Sequence, residues 1–335
     1  MSLQIDSSLR LRGYIESEIG GRSENQDSAG AMDTALGSVV VVCDGMGGMN
    51  GGKTASMLAV QTIIDYIAEA KAEESPKDVL MRAFQHANQK IIEASIADPE
   101  LQGMGTTATA LIINKYCATV AHIGDSRIYQ FRGKRKVFRT ADHSLVFQLV
   151  AQEVLTEEQA RQSSNSNIIL KALGVDQKAV PDISVLPFLK GDRFVLCTDG
   201  FWGAFPEPDF IKQITPKGNL NNLLWEVSKS INQVGIASGG GHDNYTAAVV
   251  DVSFESIIKP RMSKRNKIIL AILTILLLIS MFFNYHALVK IDRESSKLDI
   301  AFEYAKELSV SADTTMYTKN QKSFMEAFRT YKDTL

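Results

Sequence analysis

The chain has 335 residues, 45% hydrophobic and 22% charged, enough apolar content to bury a sizeable core in one large domain or two small ones. Its formal charge of −2 is unevenly spread: residues 1–258 hold 23 Lys and Arg against 30 Asp and Glu, a net −7 that argues against nucleic acid as the main partner. Cys43, Cys117 and Cys197 lie in apolar, strand-like surroundings without metal-ligand spacing, so they read as reduced core thiols of a cytosolic domain in preference to disulfide or catalytic cysteines.

From Met1 to Arg12 the chain is polar and lacks the apolar run of a cleavable signal peptide. Residues 10–20 read as an opening strand. A polar loop follows, Gly20-Gly21-Arg22-Ser23-Glu24-Asn25-Gln26-Asp27-Ser28. Val39-Val40-Val41-Val42-Cys43 predicts a central strand buried on both faces. It ends in Asp44, and Gly45, Gly47, Gly48, Gly51 and Gly52 come next. Glycines this dense let the backbone turn sharply and leave its carbonyls open to a ligand.

Ala55, Leu58, Ala59, Ile63, Tyr66 and Ile67 form one apolar stripe of a helix over 53–74. Ser75-Pro76 supplies a cap and a first-turn proline for a second helix over 76–96, whose stripe is Val79, Leu80, Ala83, Phe84, Ala87 and Ile91. Strands over 106–113, 116–123, 126–132 and 135–139 are separated by turns so short that an antiparallel meander is expected. A helical stretch over 145–153 precedes Thr156-Glu157-Glu158-Gln159, a capping-box pattern. Residues 162–182 read as a mobile flap that shapes target choice. A strand over 193–197 ends in Thr198-Asp199-Gly200, helices are expected over 208–214 and 220–234, and a glycine-rich loop carrying Asp243 leads into a last strand over 245–252.

Ile268 to Val289 contains no Asp, Glu, Lys or Arg. Its 22 residues make about 33 Å of helix, enough for a hydrocarbon core of about 30 Å. Apolar character all round its first two-thirds fits a buried core helix poorly. Lys259, Arg261, Lys264, Arg265 and Lys267 crowd its N-terminal side. Positive-inside bias therefore places residues 1–265 in the cytoplasm and 290–335 outside, as a single-pass protein of the cytoplasmic membrane. The expected organisation is a domain over 1–255, a basic juxtamembrane linker over 256–267, a transmembrane helix over 268–289 and a short extracytoplasmic tail over 290–335. In the tail, Leu298, Phe302, Ala305 and Leu308 form one possible helical stripe, and Phe324, Phe328 and Tyr331 another.

The chemistry lies in aspartates at strand edges. Asp44, Asp199 and Asp243 each adjoin a buried strand with glycine nearby, and Asp125 stands at the junction of two more. A carboxylate ending a buried strand is costly unless its charge is met, and several converging on one point repel each other without bound cations. Ligation by carboxylate and carbonyl oxygen alone selects Mg²⁺ or Mn²⁺ over zinc.

The ordered set Arg22-x-x-Asn25-Gln26-Asp27, Asp44-Gly45-Met46-Gly47-Gly48, Gly105-Thr106-Thr107, Gly124-Asp125-Ser126-Arg127, Asp142-His143-Ser144, Cys197-Thr198-Asp199-Gly200 and Asp243-Asn244-x-Thr246 resembles the type 2C metal-dependent Ser/Thr protein phosphatase (PPM) family, its bacterial branch above all. Each motif alone is weak; seven in order are specific, and they cover residues 10–252. The resemblance implies an α+β fold, an α-β-β-α sandwich of two antiparallel sheets flanked by helix pairs, followed here by one transmembrane helix. It implies that Asp44 bridges two Mn²⁺ or Mg²⁺ ions, that the Gly45 carbonyl binds one, and that Asp199 and Asp243 hold the other. Asp125 resembles the ligand of a third, weaker ion, and Asp27 would bond to metal-bound water. Arg22 would grip the phosphoryl oxygens with its planar donor fork. Catalytic roles are thus expected of Arg22, Asp27, Asp44, Asp199 and Asp243.

The activity so implied is hydrolysis of phosphoserine and phosphothreonine in proteins by direct attack of a hydroxide bridging the two ions. Phosphoproteins and a membrane-associated Ser/Thr kinase are the expected partners. Two positions depart from the family pattern. Gln26 stands where many relatives have glutamate, and Met46 where eukaryotic relatives have a histidine proposed as general acid. A metal-bound water is then the expected proton donor, and His143 reads as structural. A catalytically weak phosphoprotein-binding scaffold on the same fold would be marked by loss of Asp44 or Asp243, and both are present. A two-metal nuclease is disfavoured by the −7 domain.

Overall fold

The valine run becomes the buried centre of a ten-residue strand, β4 (Gly37–Met46), in a computed structural model of the chain. The structure describes residues 1–5, 11–47, 51–156, 159, 160, 163, 165, 168–257, 264–311, 326 and 330. Alternation along β4 decides the layers, because successive side chains point to opposite faces. Val39, Val41 and Cys43 pack against α1 (Gly51–Ala68) and α2 (Pro76–Ala97), whereas Val40 and Val42 face the opposing sheet. Each of the four valines is at most 1% exposed, worth roughly 1.5 kcal/mol apiece at the low end for a fully buried side chain.

Two antiparallel sheets stack on that inner layer. The first runs β1 (Ser2–Ile5), β2 (Leu11–Glu18), β12 (Tyr245–Val252), β11 (Asp192–Cys197), β8 (Arg127–Arg132), β9 (Arg135–Arg139). The second runs β10 (Asp182–Leu186), β7 (Ala118–Ile123), β6 (Ala108–Ile113), β4, β3 (Asp27–Thr34), with the short β5 (Gly105–Thr106) paired to the end of β4. The outer face of the second sheet is covered by α1 and α2. On the first sheet, α4 (Asp199–Trp202), α5 (Glu207–Ile214) and α6 (Leu220–Ala237) cover Tyr129, Val195 and Val249. This is the expected sandwich.

The meander is corrected in one place. β6 pairs with β7 and β8 with β9, but β7 and β8 belong to different sheets. The chain turns the corner at Gly124, whose φ of +100° lies in the left-handed region and whose Cβ, if present, would stand 2.6 Å from the Thr107 side chain. Three strands also form where none is expected, β1, β3 and β10. β3, of sequence Asp-Ser-Ala-Gly-Ala-Met-Asp-Thr, has little intrinsic strand preference and is held by its neighbours. Its whole length pairs with β4, from Thr34 opposite Gly37 to Asp27 opposite Asp44, and Gly30 lets the Ile64 side chain of α1 approach.

Ser75 caps α2 as expected, and α3 (Leu145–Ala151) starts at Ser144. The Thr156–Gln159 box forms in both directions, although Glu157 and Glu158 lie outside the described residues. Much of the expected flap before position 168 also lies outside them. From 168 on the segment is tied down: Leu170 donates to the His143 carbonyl, and Leu173 exchanges backbone hydrogen bonds with Thr106.

Met1–Pro260 and Arg261–Leu335 are separate compact units. In the second, α7 (Lys264–Ser311) is continuous well past the expected span. Its stretch Ala271–Ala301 reaches a mean hydropathy of 2.0 in its most apolar window, with none of that window buried in the protein. It is long and apolar enough to cross a membrane. Phe324, Phe328 and Tyr331 lie outside the described residues, as do the side-chain surroundings of Phe302, Ala305 and Leu308.

Candidate active site

Every sequence-predicted site residue comes from a strand end or the loop beside it. Asp44 sits where β4 meets β5, and two threonines close around its backbone. The Thr107 amide and the Thr106 hydroxyl both donate to the Asp44 carbonyl at 2.8 Å, while the Asp44 amide donates to the Thr107 hydroxyl at 3.0 Å. This accounts for Gly105-Thr106-Thr107. Thr107 also shares a hydroxyl bond of 2.7 Å with Ser126, tying the β4 end to the corner that carries Asp125. Beside Asp44, a Cβ on Gly45 would lie 2.0 Å from the Gly52 carbonyl oxygen, so only glycine fits.

Asp27 stands opposite Asp44 in the β3–β4 register, buried, with the Thr198 hydroxyl donating to Oδ2 at 2.9 Å. Thr198 also accepts from the Thr246 amide at 2.9 Å, joining β11 to β12 where Asp199 and Asp243 emerge. Arg22 donates to Asp243 Oδ2 at 2.9 Å, and both side chains are about half exposed. Asn244 holds the Arg22 loop in place: its amide group donates to the Ile19 and Glu24 carbonyls, and its Oδ1 accepts from the Gln26 amide.

Arg22, Asp44, Gly45, Asp125, Asp199 and Asp243 line one cleft of about 630 Å³, with Gln26 and Met46 also in its wall; Asp27 is buried outside that lining. Oδ1 of Asp27, of Asp125 and of Asp199 is buried without a hydrogen-bond partner. Burial, then the neighbouring carboxylates Asp27, Asp199, Asp125 and Asp243, pushes Asp44 well above the usual carboxylate range. Burial and Asp199 do the same to Asp125. Asp199 is raised to about 6 by burial and Asp243, and Asp27 to about 7 by burial and then Asp199 and Asp243. Such an all-oxygen set, short of hydrogen bonds and mutually repelling, fits hard divalent cations.

His143 takes another part. It exchanges bonds with Gly124, its amide donating to the Gly124 carbonyl at 2.9 Å and its Nδ1 accepting from the Gly124 amide at 3.2 Å. Its ring stacks on His122, and Nε2 lies 3.3 Å from Asp182 Oδ2. Ligand-capable atoms of His122, His143 and Asp182 all fall within 4.8 Å of one another. Because His143 Nδ1 accepts, the neutral ring carries its proton on Nε2, the nitrogen a cation would need. Burial lowers the pKa of both rings and keeps them neutral. The trio braces the Gly124 corner.

Two supporting residues had no role assigned from sequence: Arg127, present only as the last residue of its motif, and Trp202, not singled out at all. Arg127 forms a two-pronged pair with Asp142 at 2.9 and 2.7 Å, and its guanidinium lies 3.3 Å over the Trp202 ring. Trp202 Nε1 donates to the Asp125 carbonyl at 3.1 Å. The signal was an arginine two residues after Asp125 and a tryptophan three after Asp199, a spacing that pattern reading gives no reason to connect.

Comparison with known proteins identifies the family. A family model described as protein phosphatase 2C matches residues 16–251. The serine/threonine phosphatase stp of Listeria monocytogenes is 32% identical over 234 residues, 69% of this chain and 91% of its own. The solved S. agalactiae serine/threonine phosphatase superposes with a TM-score of 0.66 at 32% identity, covering 72% of this chain and 100% of that one. The catalytic domain of the serine/threonine protein phosphatase PstP, solved in complex with two manganese ions, gives 0.63 at 27% identity over 73% of this chain and 99% of that one. With a family match over most of its length and relatives above 30% identity aligned over nearly their whole chains, this protein belongs to the protein phosphatase 2C family of metal-dependent serine/threonine phosphatases.

Proposed function

We propose that the chain is a membrane-anchored phosphatase of the cytoplasmic membrane that hydrolyses phosphoserine and phosphothreonine in proteins directly, with two Mn²⁺ or Mg²⁺ ions. Asp44, the Gly45 carbonyl, Asp199 and Asp243 would hold the pair, and Asp125 a third ion. The observation carrying this reading is the set of buried carboxylate oxygens without partners beside an arginine whose fork is only half covered. The two manganese ions bound by PstP support the number. When bound, the ions supply water activation and offset charge on the phosphoryl group.

The protein's own groups do the rest. Arg22 leaves one of its donors to Asp243 and turns the remaining N–H groups to the phosphoryl oxygens, fixing the phosphorus in line for attack. Asp243 thereby orients Arg22 as well as ligating. Burial and the neighbouring carboxylates raise Asp27 to about 7 in the metal-free site, so it is only partly ionised at neutral pH, and bound cations would favour its ionised form. Met46 offers no proton to the departing alkoxide, and the His143 ring is committed to Gly124 and Asp182.

The apolar stretch of α7 supports the anchor, and the basic run before it supports a cytoplasmic phosphatase unit, placed to oppose a membrane-associated Ser/Thr kinase. The test is phosphate release from a phosphothreonine peptide by the full chain in detergent with Mn²⁺. Release should stop with EDTA and in Asp199→Asn. Activity surviving either treatment would overturn the two-ion reading.

A further inference from the structure

Arg22 and the carboxylates recognise a phosphoryl group, which every phosphoprotein shares, so discrimination among substrates has to come from contacts elsewhere. A second cavity of about 370 Å³ adjoins the cleft, with Asp125 forming a wall of both. Its lining is mainly apolar: Val146, Phe147 and Val150 from α3, Trp202 from α4, and Phe205 and Pro208 around the start of α5. Trp202 links this lining to the cleft through its hydrogen bond to the Asp125 carbonyl.

Apart from Asp125, whose carboxylate belongs to the acidic cleft and whose Oδ1 is buried without a partner, the charged groups in the cavity wall already face partners. Arg127 is held by both oxygens of Asp142 and also donates to the Tyr129 hydroxyl at 3.1 Å. Glu207 accepts from Arg139 at 2.8 Å and from Lys136. The Ser144 hydroxyl caps α3 through the Phe147 amide. A charged guest would meet charges already neutralised within the protein and would lose its hydration without return. An apolar guest loses nothing and buries surface. A cavity of this size with aromatic walls, its charged groups paired except at the Asp125 edge it shares with the cleft, suits a neutral, apolar ligand.

We propose that this cavity is a specificity subsite for an apolar side chain of the substrate phosphoprotein, close in sequence to the phosphorylated residue. The inference rests on the phosphatase reading above. Continuity with the cleft names the occupant: a polypeptide whose phosphoryl group lies by Arg22 continues past the cleft wall, and Asp125 is the wall the two cavities share. Extended chain advances about 3.3 Å per residue, so successive side chains sample that boundary within a few positions.

The test uses the full chain in detergent with Mn²⁺ and a phosphothreonine peptide bearing alanine at positions −4 to +4. Leucine or phenylalanine is then placed at one position at a time. One position should raise kcat/KM by about tenfold or more over the all-alanine peptide, the effect of burying one large apolar side chain. In Val150→Phe, which narrows the cavity, that ratio should fall towards one. In Phe147→Ala, which widens it, the preferred side chain should become larger. The ratio between peptides is read instead of either rate, so a general loss of activity or fold cannot imitate the effect. A ratio near one at every position, or one unmoved in both variants, overturns the proposal. p-Nitrophenyl phosphate run alongside separates the failures. If it is hydrolysed without any side-chain preference among the peptides, the subsite alone is wrong; if no substrate releases phosphate, the phosphatase reading falls and takes the subsite with it.

Discussion

Replacing Asp27 with asparagine should stabilise the metal-free protein at alkaline pH while impairing catalysis. Asp27 is 3% exposed, and burial followed by the charges of Asp199 and Asp243 raises its pKa from 3.8 to about 7. At about 1.4 kcal/mol per tenfold change, keeping this carboxylate ionised above pH 7 costs the metal-free fold up to about 4 kcal/mol. Water and counter-ions drawn into the cleft offset part of that, leaving a gain of about 2 kcal/mol for a neutral side chain of the same shape. Asparagine keeps the bond from Thr198, because its Oδ1 can accept as the carboxylate Oδ2 does. For a unit of this size, 2 kcal/mol is about 4–8 °C in thermal midpoint. The sign of the pH dependence follows from the raised pKa: the stabilisation from Asp27 is fully present below 3.8 and is lost as pH rises through about 7. Differential scanning calorimetry of the full chain in detergent and EDTA should therefore show near-equal midpoints at the acid end of that window and a higher midpoint for the variant at pH 8. Saturating Mn²⁺ at pH 8 should shrink the difference, since bound cations supply what the carboxylate lacks. Equal midpoints at pH 8 in EDTA, or a less stable variant, would refute the reasoning.

Arg22→Lys keeps the charge and removes the planar fork, so kcat/KM for a phosphothreonine peptide should fall about 10- to 100-fold, mostly through KM; unchanged steady-state kinetics would remove Arg22 from phosphoryl binding. Gly45→Ala places a methyl group 2.0 Å from the Gly52 carbonyl oxygen and should cost about 1–3 kcal/mol, read as a lower midpoint together with weaker Mn²⁺ binding by calorimetry. Protease added to intact cells should remove residues beyond 290 and leave the phosphatase unit whole; protection of the tail with digestion of the rest would reverse the proposed orientation.

The strand-end aspartates were legible because they break a rule. A run such as Val39–Cys43 has no reason to end in a carboxylate, and the same oddity recurs at Asp199 and Asp243, so anomaly as much as resemblance pointed to cations. Helices with strong apolar stripes were equally plain, and the Val79–Ile91 stripe is buried along its length. Asp27 reads differently in isolation. Its sequence surroundings are those of a solvated turn, yet it opens a strand, because pairing with β4 outweighs the weak propensity of Ala29-Gly30-Ala31. β10 pairs in register with β7 along its five residues, a strand not expected from the sequence.

The error at Gly124 bears most on function. Short connections favour hairpins, and both flanking strands are buried on each face, so nothing local says that they part. A hairpin there would have left Asp125 in a turn on one edge of a single sheet. Instead the chain crosses between the sheets at this residue. Asp44 arrives from the second sheet and Asp199 and Asp243 from the first, while Asp125 stands on the crossing itself, its backbone held by Trp202 and its corner by His143. The acidic cluster is therefore a property of the seam between two sheets. That is why four carboxylates far apart in the chain share one cleft, and why the same corner residue also borders the apolar cavity beside it.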